Sequence, residues 1–354
     1  MKITALYVYP IKGLRGIELK SAQIGPQGIE HDRRFMLYEV HPTTGGLKKI
    51  QVDSHPRCAL FEQQLVCGTE DGAPGRIIVR FRGSPTPGSE TDEASKTIEI
   101  PLTPDWSSLE KIDVVLHGSP ATAYRMGDPY DSWFGRHFGV RTILVYLGDG
   151  RRAVLGKTLP PKSSREPQQR GWVSSLTSYI TGSQSLGKGS DPGLWITFTD
   201  VAPLLVTSEM SLRDVRDRLL GGLPLEMFKF RPNIVVDGEG ESAWAEDFWA
   251  ELSIRDVGRG DERRILQLTG NCARCVSLNV DYNTGKPAEG ELGNVLKKLM
   301  KERRVDKGAK WSPIFGRYAF LDSRHTGDVI VSVGDDVEVT RRNTERSVWD
   351  WPGL

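Results

Sequence analysis

The sequence predicts a mixed α/β, β-rich protein of two packed units, and three observations carry that expectation. Short alternating apolar runs separated by turn signals fill residues 1 to about 140, a helical and then a strand pattern interrupts them between residues 132 and 147, and more regular strands with two amphipathic helices follow. A chain of 354 residues with 38% hydrophobic content can bury a substantial core, and its size favours two units over one. The expected units are residues 1–140, a small barrel or sandwich, and residues 141–354.

In chain order, Ile3 to Tyr9, Phe35 to Tyr38, Arg76 to Phe81 and Lys96 to Ile100 alternate as half-buried strands do, with turns such as Gly25-Pro26-Gln27-Gly28 between them. Ser84 to Ser95, with two prolines and several acids, reads as a mobile hairpin tip. Ser132 to Gly139 reads as a short helix closed by glycine, and Arg141 to Leu147 as a strand, which sets the boundary. Gly150 to Thr158 resembles a phosphate loop, but five residues stand between Gly150 and Gly156 where that loop needs four. Residues 159 to 193, rich in Ser, Gly, Pro and Gln, read as a long loop or lid.

Beyond it, Leu194 to Phe198, Pro203 to Thr207, Phe230 to Val236 and the surroundings of Leu252 to Ile254 read as strands. Ser211 with Asp214 suggests a capping box for a helix ending at Gly221-Gly222. Leu292, Val295, Leu296 and Leu299 mark a second helix, whose neighbours Lys297, Lys298, Lys301, Arg303 and Arg304 read as a solvated face. Asp328 to Val333 and Asp336 to Val339 suggest a hairpin through Gly334-Asp335.

Composition excludes several classes. The 47 basic and 46 acidic side chains nearly cancel, so no long-range field points to nucleic acid or an anionic membrane. No window reaches the roughly 20 apolar residues that span a bilayer. The chain opens at once on a strand pattern, so the expected location is cytoplasmic, with mitochondrial association left open. Cys58, Cys67, Cys272 and Cys275 are too few for a disulfide scaffold, and the spacing of Cys58 and Cys67 does not suit a zinc ribbon.

The segment from Leu268 to Gly285 stands apart. A strand-like run, Arg264 to Leu268, breaks at Gly270-Asn271, and Cys272 and Cys275 follow with Arg274 against the second thiol. An adjacent guanidinium favours thiolate, so Cys275 is the better nucleophile or soft-metal ligand. Val276 to Val280 alternates like a strand, which argues against dithiol redox chemistry of the strand-to-helix type. Spacing alone fits a structural thiol pair equally well. Likewise Lys12 in Tyr9-Pro10-Ile11-Lys12-Gly13 and Arg33 beside Asp32 fit ordinary strand-end charges.

These fragments together resemble one family. Tyr9-Pro10-Ile11-Lys12, Asp32-Arg33, Phe198-Thr199-Asp200-Val201-Ala202-Pro203, Phe230-Arg231-Pro232-Asn233-Ile234-Val235, Ala245-Glu246-Asp247, Cys272-Ala273-Arg274-Cys275, Asp281-Tyr282-Asn283-Thr284-Gly285, Pro313-Ile314-Phe315-Gly316 and Val333-Gly334-Asp335 follow one another as in MOSC proteins that carry a MOSC N-terminal β-barrel domain, such as the amidoxime-reducing components. The resemblance implies an N-terminal β-barrel packed on a MOSC β-barrel with peripheral helices. It also implies a molybdenum cofactor, molybdopterin-bound molybdenum, whose metal takes a cysteine thiolate, and the matching position is Cys275.

By the same resemblance Lys12, Arg33 and Arg231 would meet the pterin phosphate, Arg as a fork and Lys as a point charge. Asn233, Thr207 and Ser208 would offer neutral hydrogen bonds, with Asp200, Ala202 and Arg274 beside them. Gly13 stands where serine is common. Cys275 and Asp200 are the expected catalytic positions, Asp200 for proton delivery or else as a buried strand-end carboxylate, and Cys272 would pack or hydrogen-bond nearby. The implied activity is two-electron reduction of N-hydroxylated substrates such as amidoximes and hydroxylamines. Its electrons would come from a separate donor, by analogy cytochrome b5 and its reductase. The rival expectations are a cofactor carrier or sulfur-transfer protein, like the C-terminal part of cofactor sulfurases, and a β-rich binding module.

Overall fold

The structure is a computed structural model and describes residues 1–68, 73–83, 96–160, 194–256, 263–325 and 329–352. The expected hairpin tip at 84–95 and all but the first two residues of the expected loop at 159–193 lie outside the described residues.

Seven strands close into a barrel in the order Ile234–Asp237, Leu204–Ser208, Ile314–Leu321, Arg263–Ala273, Trp249–Arg255, Asp336–Arg342 and Lys2–Val8, the last returning to the first. Closure pairs every edge, which an open sheet of this length would leave exposed. The closing strand comes from the N-terminus, with Lys2 opposite Asp237 and Leu6 opposite Ile234. Its alternation explains the fit, because Ile3, Leu6 and Val8 point inward to meet Val206, Ile234, Leu252, Leu266 and Ala319.

A second sheet runs Glu110–Leu116, Ser119–Arg125, Thr142–Tyr146, Phe35–Val40 and Leu47–Lys49. The helix Tyr130–Phe138 ends where Gly139 turns left-handed and covers one face with Trp133, Phe134 and Phe138. Phe61 packs against these rings and Phe81 against Phe61 and the His137 ring, both from the sheet of Phe61–Val66, Arg76–Phe81 and Thr97–Pro101. Thr142–Tyr146 therefore pairs back to Phe35–Val40, whereas Lys2–Val8 pairs forward to Ile234–Asp237, and both assemblies draw strands from both sides of residue 140.

Five local expectations change. Val329–Ser332 pairs with Ser21–Gly25, and Asp336–Arg342 pairs with Trp249–Arg255, so these consecutive strands form no hairpin. The strand Arg263–Ala273 does not break at Gly270-Asn271 but absorbs them as register shifts against Ile314–Leu321. Val276–Asn279 is a 3-10 turn in which only Leu278 is buried, because the apolar alternation there has no neighbouring strand to pair with. The helix Glu209–Asp217 starts before Ser211, whose hydroxyl donates to Glu246 Oε2 at 2.8 Å instead of capping. Arg303 is not solvated but buried, donating to both oxygens of Asp247 at 2.7 and 2.9 Å with its guanidinium 4.0 Å from the Trp244 ring centre. Among the described residues, no helix is long and apolar enough to cross a membrane.

Candidate functional site

A cavity of about 530 Å³ opens where the loops leaving one end of the barrel meet loops of the N-terminal half. Cys275 lies two residues beyond the strand Arg263–Ala273, its thiol exposed in the cavity wall and 3.2 Å from Ser277 Oγ. Its backbone is extended, with φ −121° and ψ −176°. Successive side chains along an extended chain diverge. Arg274 therefore turns from Cys275 toward Cys272, donating to that sulfur at 3.0 Å, with a second bond to the Phe230 carbonyl. The expected guanidinium at the Cys275 thiol is corrected accordingly. Cys272 is buried, accepts from Arg274 and donates to the Tyr318 hydroxyl at 3.2 Å. Burial pushes its thiol pKa up, against the pull of Arg274.

Two guanidiniums meet the ring of Tyr9. Arg33 and Arg231 each lie 4.4 Å from its ring centre. Both have left-handed backbones, φ +50° and +53°, a costly conformation for non-glycine residues, and Arg33 Nη2 donates to the Arg231 carbonyl at 3.3 Å. Asp32 fixes the arrangement, accepting from the Tyr9 amide at 2.8 Å and pairing with Arg33. Asn233 is fully committed to this scaffold. Its Oδ1 accepts from Leu205 N at 3.1 Å and Arg33 Nη1 at 3.3 Å, and its Nδ2 donates to Asp32 Oδ2 and Tyr7 O, both at 3.2 Å. Arg231 donates from Nη1 to Leu14 O at 2.8 Å, while its Nη2 is buried with no partner.

On the facing wall, Asp200 Oδ1 accepts from Lys12 Nζ and lies 3.1 Å from His117 Nε2. Burial alone would raise the Asp200 carboxyl pKa, but the Lys12 ammonium and the His117 ring outweigh it and hold it well below the usual range. Burial pulls Lys12 down to about 8 despite Asp200. The segment carrying Asp200 hangs on buried Arg152, which donates to the carbonyls of Thr197 at 2.7 Å, Thr199 at 2.6 Å and Leu116 at 2.9 Å.

Of the residues expected from the sequence, Lys12, Gly13, Arg33, Asp200, Ala202, Arg231, Asn233, Arg274 and Cys275 all line this cavity. Gly13 has φ +93°, and a Cβ there would stand 3.0 Å from Ile50 O, so backbone geometry requires the glycine. Thr207 and Ser208 do not line it. They lie further along the strand Leu204–Ser208, where Thr207 donates to Met227 Sδ at 3.3 Å under the barrel's outer face. Sequence reasoning missed His117, Arg152 and Tyr318. Only His117-Gly118, a turn dipeptide between two strand patterns, left a visible signal.

Among the described residues, no group of three or more His, Cys, Asp or Glu could hold a metal ion. One exposed thiol that shares its cavity with several cations suits an anionic group that brings its own metal.

Residues 1–141 match the MOSC N-terminal beta barrel domain and residues 193–338 the MOSC domain. The human mitochondrial amidoxime-reducing component 1 is 35% identical over 95% of this chain and 82% of its own length, and the mouse protein of that name is 25% identical over 95% and 81%. Human molybdenum cofactor sulfurase is 23% identical over 97% of this chain but only 33% of its own length. Cys275, the cation cluster and the closed barrel thus sit in a chain that belongs to the MOSC family, with a MOSC N-terminal β-barrel domain preceding its MOSC domain.

Proposed function

We propose that this protein is a molybdenum cofactor-dependent reductase of N-hydroxylated compounds, amidoximes and hydroxylamines, fed by a separate electron donor protein of the cytochrome b5 type. The observation that carries this reading is the convergence in one cavity of an exposed thiol, Cys275, with Lys12, Arg33, Arg231 and Arg274. The residues fit the cofactor: Arg274 Nε and Thr199 Oγ1 are buried donors left without partners, and an anionic pterin would satisfy such groups.

Bound there, the cofactor supplies two-electron redox chemistry at a metal that takes one protein thiolate beside its two dithiolene sulfurs. Cys275 would be that thiolate. Arg231 and Arg33, both packed on the Tyr9 ring, would hold the phosphate, with Lys12 as a further charge. Arg274 braces Cys272 and the Phe230 carbonyl, and so fixes the backbone from which Cys275 projects. Asp200 faces the cavity beside Lys12 and His117, where a proton can be passed to a departing oxygen.

The test is the metal and pterin content of protein from a host that makes molybdenum cofactor, wild type against Cys275→Ala, followed by benzamidoxime reduction with an artificial donor. Near-stoichiometric molybdenum, with sulfur-to-metal absorption lost in the variant, and benzamidine formation support the reading. Wild type that stays empty overturns it. The likeness to molybdenum cofactor sulfurase over 97% of this chain favours a second reading, a cofactor carrier. Loaded protein that hands its cofactor to an apo-enzyme without reducing substrate would establish that instead.

A further inference from the structure

We propose that His117 is the proton reservoir of the cavity, delivering through Asp200 a proton consumed when the substrate N–O bond breaks; this rests on the reductase reading above. In that reaction the N–O bond is cleaved, an N–H bond forms and the oxygen leaves as water. Two electrons from the donor protein and two protons balance it. The chain must therefore bring protons to a cavity whose charged lining is mainly cationic.

Asp53 and Asp200 are the carboxylates that line it, and two side chains touch Asp200 Oδ1, Lys12 through Nζ and His117 through Nε2 at 3.1 Å. They differ in two ways. Histidine is the side chain that ordinarily exchanges its proton near neutral pH. The His117 side chain is also 14% exposed against 5% for Lys12, so of these two partners the imidazole is the nearer to water.

The ring is held in place by structure from three directions. His117 and Gly118, with φ +54° and +75°, form the two-residue turn between Glu110–Leu116 and Ser119–Arg125. Such turns more often carry asparagine or glycine at the first position, where both central residues need positive φ. The His117 carbonyl accepts from Trp351 Nε1 at 2.7 Å, and the preceding Leu116 carbonyl accepts from Arg152 at 2.9 Å. The turn's side chain is thereby fixed against Asp200.

Charges facing the ring are Asp200 and Lys12 at Nε2 and Lys49 from Leu47–Lys49, with Arg152 behind the Leu116 and Asp200 carbonyls. Nδ1 is buried without a partner, so a second proton on the ring lacks an acceptor. Burial, helped by Lys12 and Lys49, outweighs Asp200 and sets the His117 pKa below its ordinary value. The resting ring is therefore neutral and donates from Nε2 to Asp200 Oδ1, and only when it takes a second proton, as it does toward acid pH, can it pass one to Asp200 Oδ1 and on to the departing oxygen.

The test uses the loaded protein with an artificial electron donor from pH 5 to 9. His117→Gln keeps an N–H for Asp200 but cannot carry the extra proton. The expected result is a loss of roughly a hundred-fold in kcat with KM little changed. The rise of wild-type kcat toward acid pH should vanish in the variant, and added imidazole should partly restore His117→Ala. Independently of turnover, the His117 ring resonances should titrate, with a midpoint that falls in Asp200→Asn. His117→Gln with wild-type kcat and pH profile, or a ring that never changes protonation state, would overturn the proposal while leaving the reductase reading intact. Loaded wild type without turnover would overturn both.

Discussion

Replacing Arg152 with methionine should loosen the wall of the cavity that carries Asp200 and cost about 3 to 4 kcal/mol of stability. The guanidinium is fully buried and makes three short bonds, to Thr197 O at 2.7 Å, Thr199 O at 2.6 Å and Leu116 O at 2.9 Å. Methionine fills much of the same volume and donates nothing, so three buried carbonyls lose a charged partner at roughly 1.5 kcal/mol each. Against that, burying the charge is itself unfavourable, since burial drags the Arg152 pKa down to about 10, and the variant recovers on the order of 1 kcal/mol. For a protein of this size the net loss corresponds to a fall in Tm of roughly 8 °C. Thermal and urea unfolding followed by circular dichroism at pH 7 read it directly. Arg152→Lys, with its charge but not its fork, should fall between the two. A methionine variant within about 1 kcal/mol of wild type would refute the view that this side chain holds the Thr197 to Asp200 segment.

Two further outcomes follow from buried groups elsewhere. Burial raises Glu246 to about 7, against the hydroxyl of Ser211. The folded state then keeps a proton that the unfolded chain, near 4.5, has released, so this group's contribution to stability falls as pH rises from about 4.5 to about 7. Glu246→Gln should remove up to about 3 kcal/mol of that slope, and urea unfolding of both proteins at pH 5 and pH 8 would expose the error if the slopes match. On the reading proposed above, Cys272→Ala should load molybdenum as the wild type does while losing about 1 to 2 kcal/mol from the Arg274 and Tyr318 contacts. An empty Cys272→Ala protein that still folds would show that Cys275 alone does not hold the metal.

Much of the site was legible because its residues sit in short motifs at strand ends. Lys12, Arg33, Asp200, Arg231 and Cys275 come from five separate segments, and a barrel naturally gathers the loops at one end of its strands into one place. Side-chain direction was not legible. Arg274 and Cys275 are neighbours in sequence, yet an extended backbone sends them to different partners. Thr207 and Ser208 belong to a matching strand but fall beyond the reach of the cavity.

Alternation of apolar residues thus determined most of the strands, and glycine at position 139 the end of a helix, since both follow from local backbone geometry. The family motifs marked the thiol and the cations. Which strands pair was decided only in three dimensions. Nothing local tells Lys2–Val8 to close a barrel with Ile234–Asp237, because sheet partners are chosen by a shared apolar face across more than two hundred residues. His117 belongs to the same class. As a residue it is an ordinary turn histidine, and it meets Asp200 only because tertiary packing brings a hairpin of one half against the loops of the other.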